Sequence, residues 1–252
     1  MCFYNMPKVH KLYKKQTGDM IMTVFNVTEK KINSKINSHD KTVIIENIKY
    51  PHFEAKEQAD KELCEKLNDF YGKIAEKYST YARVKLIKKI HRNTRLCKTP
   101  MCLGMNYTVS ECGKDIISVV LDLSFSEAKS LKMKRFSQMW HKEKGEMISV
   151  GQIMDLSIKN KKILWETVLN QAINQSQKKK NEYYPDVALR IKKNFCFNNC
   201  FMTPTGVTFF FDAGVLRPEK YGASCFVLPY DTIKDILKSD VVEEKSQFVN
   251  NI

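Results

Sequence analysis

Cysteine, histidine and one Pro/Tyr loop are where this chain of 252 residues could carry chemistry. Cys196-Phe197-Asn198-Asn199-Cys200 sets two thiols four positions apart, and Cys225 follows in the same stretch. Thiolates so spaced could supply half of a zinc site, but a closed site needs a second ligand pair, and no histidine is near in sequence. On a strand, positions four apart share a face, so the alternative is two buried thiols. The five histidines, His10, His39, His52, His91 and His141, fall in no H-E-x-x-H pattern. The chain has no G-x-G-x-x-G, no P-loop and no G-x-S-x-G, and its carboxylates are too scattered to nominate an acid–base pair. The expectation is no enzyme, no catalytic residue, no metal and no cofactor. The best candidate surface is the loop Arg217-Pro218-Glu219-Lys220-Tyr221-Gly222, with Asp212 before it. Asp212, Arg217, Pro218 and Tyr221 are the candidate binding residues. A tyrosine fixed between Pro and Gly offers a rigid amphipathic contact at low entropic cost. The alternative is that Tyr221 packs over a sheet edge.

The stretch that must position this loop runs from Asn194 to Leu237. Phe195, Phe197 and Phe201 mark a first strand, and Thr203-Pro204-Thr205-Gly206 is a turn, since Pro presets φ and Gly accepts positive φ. Val207-Thr208-Phe209-Phe210-Phe211 is a continuous β-branched and aromatic run, which suits a strand buried on both faces. Cys225 to Leu228 is a third strand, and Asp231 is placed to cap a short helix through Leu237.

Upstream, 1–18 reads as a basic tail and 19–27 as a first strand. Residues 28–41 are polar and read as a loop or hairpin connection, and 42–50 reads as a strand ended by Pro51. Ala59, Leu63, Leu67, Phe70, Ile74, Tyr78 and Tyr81 draw one apolar stripe, predicting a helix from about Ala55 into the early nineties with a break or end near Ser79. Gly72 inside it suits a close crossing. Alternation predicts strands at 101–109 and 117–125, joined as an antiparallel hairpin through Cys112-Gly113-Lys114-Asp115; 131–140 reads as a third, more basic strand, with a turn at Lys144-Gly145-Glu146. Helices are predicted at 160–176 and 186–193.

The order of aromatic strand, TPxG turn, second aromatic strand ending at Asp212, Pro218 to Gly222 loop and Pro229-Tyr230-Asp231-Thr232-Ile233 resembles the RsiV-like domain, DUF3298. The strand at 42–50, the long helix, the hairpin, the Gly145 turn and Met147 to Met154 resemble its usual companion, DUF4163. Together the resemblance covers about 20–237. It implies an α+β protein, mostly antiparallel sheet with packed helices, in two linked subdomains at 19–156 and 157–240, with a tail at 241–252. It also implies a non-catalytic binding or sensing module for a cell-wall-related protein or polymer. The best understood members are membrane-anchored anti-sigma factors whose extracellular domain binds lysozyme, and others accompany peptidoglycan deacetylases.

Charge bears on the partner. The formal net charge is +14, and from Phe201 onward five basic and seven acidic side chains give −2, so the first 200 residues carry +16. That field favours an anionic wall polymer over a basic protein partner. It leaves nucleic-acid binding as the alternative, through Arg83 to Lys98 and Lys129 to Trp140, with Phe136 and Trp140 stacking on bases. A second alternative is an accessory to a wall hydrolase. A lysine-rich composition that only keeps the protein soluble would give the same total. The eight cysteines are irregularly spaced in a chain too large to need disulfides, which predicts free thiols. No apolar run approaches the roughly 18 residues of a membrane helix, and no export signal is visible, so the chain as written is expected in the cytoplasm, although relatives of this kind are usually extracytoplasmic.

Overall fold

The computed structural model describes residues 25–38, 41–92, 99–112, 115–127, 130–179 and 182–238. The expected tails at 1–18 and 241–252, most of the strand expected at 19–27, His10, His39, Cys2, Cys97 and parts of both basic clusters lie outside them.

A six-stranded sheet in the order β1 to β6 takes up the first half. β1 (Phe25–Ser38) and β2 (Lys41–Ala55) form one long antiparallel hairpin. The polar segment 28–41, expected to be a loop or a hairpin connection, does belong to a hairpin, but Thr28 to Ser38 is strand and not connection. β1 is the sheet's outermost strand, and its lysines and asparagines project into water, as suits an edge that must not recruit further strands. β2 also runs through Pro51 instead of stopping there. β3 (Met101–Cys112) pairs with β2 from Ile44 to Ile48, so among the described residues Pro51 sits where β2 has β1 as its sole neighbour and the missing N–H costs no ladder bond on the other side.

β2 and β3 are parallel, and that geometry requires a crossover. α1 (Lys61–Arg92) is that crossover. It passes Ser79 without a break, and the Ser79 hydroxyl donates to Glu46 on β2 at 3.0 Å. Leu63, Leu67, Tyr71, Ala75 and Leu86 pack on Ile44, Ile48, Phe53, Met105, Ile117 and Leu121. Phe70, Ile74 and Tyr78 flank this seam, whereas Ala59 lies before the helix and Tyr81 is 59% exposed, so the apolar stripe is narrower than its spacing predicted.

β4 (Ile116–Glu127) and β5 (Ser130–His141) extend the sheet as antiparallel neighbours, and the short β6 (Glu146–Ile148) closes it. Period-two alternation divides β4 cleanly. Ile117, Val119 and Leu121 face α1, while Ile116, Ser118 and Val120 face the second layer.

That layer is an antiparallel sheet of β7 (Cys200–Thr203), β8 (Gly206–Phe211) and β9 (Ser224–Pro229). All six residues of β8 are buried, as its unbroken apolar run predicted. One face, with Met202, Val207, Phe209, Phe211, Phe226 and Leu228, packs on α3 (Ile158–Lys178) and α4 (Val187–Asn194). The other sets Phe201 and Phe210 against Val120 of β4. β7 is the free edge of this sheet, and two serines of the larger one cap it. Met202 N–H donates to Ser118 Oγ at 3.0 Å, and Ser137 Oγ donates to the Cys200 carbonyl at 2.7 Å. Backbone groups buried without partners would each be costly, so this seam fixes one sheet on the other.

α2 (Val150–Ile153) and Met154 contribute to the same core as α3 and β7–β9. Met154 also bridges Leu237 beyond α5 (Tyr230–Ile233). α5 begins one residue before Asp231 with Pro229 as its cap, so Asp231 is not the cap residue, and Tyr230 is the buried anchor, donating to the Thr203 carbonyl at 2.7 Å. With six-stranded and three-stranded sheets and packed helices, the architecture is α+β, mostly antiparallel. Among the described residues, no helix is long and apolar enough to cross a membrane.

Candidate functional site

The loop between β8 and β9 is built around Arg217. Its Nη2 donates to the Ala223 carbonyl at 2.9 Å, and its Nη1 lies 3.5 Å from the Glu182 carboxylate. The guanidinium carbon is 5.9 Å from the Tyr183 ring centroid and 6.0 Å from that of Tyr221. A planar cation within about 6 Å of two aromatic rings, with a carboxylate and a carbonyl at its edge, is a staple across the loop, although its Nε is buried without a hydrogen-bond partner. Pro218 opens a 3-10 turn over Glu219–Tyr221, in which Tyr221 N–H donates to the Pro218 carbonyl at 3.0 Å and Gly222 N–H to that of Glu219 at 2.9 Å. Gly222 then reverses the chain at φ 73°. Gly214 sits at φ 84°, with the Glu219 side chain folded over it. The turn rests on β5, leaving Tyr221 half-buried, Lys220 exposed beside its ring at 4.8 Å, and Glu219 partly exposed.

The four predicted binding residues thus divide. Arg217, Pro218 and Tyr221 form one rim. Asp212 is committed elsewhere: its carboxylate accepts the Arg135 backbone N–H of β5 at 2.8 Å, tying the end of β8 to the larger sheet. Arg135 continues the tie. Its side chain forms a two-pronged pair with Asp122 at 2.7 Å on each prong, and Nη1 donates to Cys225 Sγ at 2.8 Å. Sequence inspection missed this network, although the β4–β5 register, once drawn, places Arg135 directly opposite Asp122. It also missed Glu182 and Tyr183, because their link to Arg217 exists only in the folded chain.

The two thiols of the expected Cys196–Cys200 pair are not on one strand. Cys196 is exposed in the turn before β7, while Cys200 is buried on β7 itself. The strand expected from Phe195 begins five residues later, at Cys200, because the chain first makes a turn in which Asn199 N–H donates to the Cys196 carbonyl at 3.0 Å; Phe195 and Phe197 stack edge to face at 4.9 Å before it. Burial pushes the Cys200 thiol up to about 12 and the Cys64 thiol to about 11. Burial also raises Cys225 despite the guanidinium of Arg135 beside it. Thiols so protonated are poor nucleophiles at neutral pH. Cys64, Cys102, Cys196, Cys200 and Cys225 are free thiols. Among the described residues, no three His, Cys, Asp or Glu side chains converge as metal ligands.

Of the two rings expected to stack on bases, Trp140 is 2% exposed and donates its indole N–H to Tyr71 at 2.8 Å, so it belongs to the core. Phe136 is 38% exposed, with Lys134 Nζ 5.1 Å from its ring.

No family model matches the sequence, and no curated protein matches it. Solved structures do. A member of the DUF3298 family from Bacteroides fragilis shares 12% identity at a TM-score of 0.59, over 88% of this chain and 98% of that one. A DUF3298 family protein from Pseudomonas aeruginosa shares 11% identity at a TM-score of 0.56, over 86% of this chain and 96% of the other. The likeness spans both sheets, and at such identities it is a likeness of fold.

Proposed function

We propose that the chain is a non-catalytic binding and sensing module of the DUF3298 type, with subdomains at 19–156 and 157–240, and that it recognises a cell-wall-related protein or polymer through the rim Arg217–Gly222. The observation that carries this reading is the Arg217 staple. A surface loop tied by one guanidinium to a carboxylate and a carbonyl, with two tyrosine rings within about 6 Å, meets a partner without first paying to become ordered. Asp212 serves the same end from below, by anchoring the strand that carries the rim. The excess of positive charge favours an anionic wall polymer over a basic protein.

Co-sedimentation with purified peptidoglycan sacculi, run beside a pull-down on immobilised lysozyme, tests the reading. The wild-type chain is retained by one of them, and Tyr221→Ala is released while its melting temperature stays the same. Retention that ignores Tyr221→Ala, or retention by neither, removes the rim as the binding surface.

A second reading, nucleic-acid binding, keeps one favourable observation: Phe136 is exposed under Lys134, beside the exposed Lys132. Counterion release distinguishes it, because affinity for a single-stranded oligonucleotide would fall steeply with salt and with Phe136→Ala.

A further inference from the structure

Gly72 breaks a rule that the rest of α1 obeys. A glycine inside a helix costs up to about 1 kcal/mol relative to alanine. Such a residue is usually explained by a close crossing, and that was the expectation here. Yet a Cβ built on Gly72 meets no atom within 4 Å. Nothing in the packing requires the glycine, and what it leaves is open space.

The space is a cleft of about 300 Å³ between α1 and the helix-facing side of the β1–β2 hairpin. α1 supplies Asn68, Asp69, Gly72, Lys73 and Glu76, which helical spacing brings to one face. The hairpin supplies Lys30, Tyr50 and His52, with Lys30 directly opposite Tyr50 in the register. Asn68 locks the two walls together: its Oδ1 accepts the Phe53 N–H at 2.7 Å, and its Nδ2 donates to the Phe53 carbonyl at 2.9 Å. The cleft is therefore held open by a fixed joint and is not a gap between loose elements.

Its charge is what selects a ligand. The protein is strongly basic, but the formally charged lining balances, with Lys30 and Lys73 against Asp69 and Glu76. Lys73 is already paired with Asp69 at 2.6 Å. A polyanion finds no net attraction here. A neutral ligand whose groups both donate and accept finds partners of each kind: ammonium donors, carboxylate acceptors and the Tyr50 hydroxyl. Hydroxyl groups on a carbon ring have that character, and the half-buried Tyr50 ring offers an apolar face for the ring's C–H side. The volume lies at the lower limit of the range of about 300–1,000 Å³ usual for small-molecule sites, and with Lys30, Asp69, Lys73 and Glu76 exposed the cleft is open to solvent, which suits weak binding.

We propose that this cleft is a binding site for a neutral saccharide unit, and that Gly72 is kept to leave room for it. The site lies on elements other than those of the Arg217–Gly222 rim and stands or falls separately from it.

The test is an NMR titration of the full-length chain with three probes: tri-N-acetylchitotriose, maltotriose, and inorganic polyphosphate as the anionic control. At least one sugar shifts the amides of Lys30, Tyr50, His52, Gly72 and Glu76 in a saturable way, and polyphosphate leaves them in place. Gly72→Ala folds with a higher melting temperature and binds the sugar less well. Gly72→Leu, which fills the cleft, weakens binding at least tenfold while leaving rim-dependent retention intact. The proposal is overturned if neither sugar shifts these amides at millimolar concentration, if polyphosphate alone does so, or if the shifts survive Gly72→Leu unchanged. Loss of rim-dependent retention in Tyr221→Ala with sugar binding preserved would leave the cleft standing on its own.

Discussion

Gly206 and Gly72 sit in opposite surroundings, and the contrast runs through the two halves of the molecule. A Cβ on Gly206, at the start of β8, would lie 2.2 Å from the Leu228 carbonyl oxygen of β9; a Cβ on Gly72 would touch nothing. Around Gly206, the three-stranded sheet is enclosed by α3 and α4 on one face and by β4 on the other, and β8 has no exposed residue. Around Gly72, one helix covers part of a larger sheet and leaves a polar cleft. The enclosed half is built to hold the rim's two strands in register. The open half adds specific polar joints to the apolar seam of α1, and so it tolerates space at the margin of that seam.

The best developed of those joints is Glu46. Its side chain has 0% exposure, and it accepts hydrogen bonds from Arg83, Ser34 and Ser79. Burial works to raise the carboxyl, but the bonds from Arg83, Ser34 and Ser79 outweigh it and hold the group below its ordinary value of 4.5. One residue on β2 thereby joins β1 and the second half of α1.

The comparison can be sharpened in descending order of effect. Phe209→Ala removes a fully buried ring from the enclosed half and should cost about 4 kcal/mol in denaturant unfolding, within the usual 3–5 kcal/mol for such a truncation. Gly206→Ala drives a methyl group into the β9 backbone and should cost about 3 kcal/mol, at the upper end for overpacking. Glu46→Ala removes the shared acceptor of Arg83, Ser34 and Ser79 and should cost about 2 kcal/mol, below the range for a buried pair because Arg83 is 39% exposed and regains water.

Acid should act through the same carboxyl. A group whose folded value is depressed contributes stability above its unfolded value and loses it as pH falls through the folded one. The wild-type protein should therefore lose stability below about pH 4.5 more steeply than Glu46→Ala does, as read by melting temperature against pH. Smallest in size and opposite in sign, Gly72→Ala should gain up to about 1 kcal/mol. A loss there would mean that the glycine serves packing after all.

What could be read from sequence followed from where packing alone decides the structure. The run Val207 to Phe211, the alternation of β3 to β5 and the apolar stripe of α1 each carry their burial in their spelling. β1 does not, because an edge strand clothed in lysine and asparagine spells the same as a loop, and its structure comes from the register with β2. Trp140 looked available for stacking because nothing in its own strand reveals Tyr71 above it. The rim was legible as Pro, Tyr and Gly. Its staple was not, since Arg217 reaches Glu182 and Tyr183 only after α3 and α4 have folded over the sheet.

Amide hydrogen exchange across residues 214–223, with and without solubilised wall polymer, tests the central claim most directly. A pre-built rim predicts that the Tyr221 and Gly222 amides, bonded to the Pro218 and Glu219 carbonyls, exchange slowly in the free protein and more slowly still with polymer present. Exchange of these amides at the rate of an unstructured chain, or added protection confined to other elements, would contradict it.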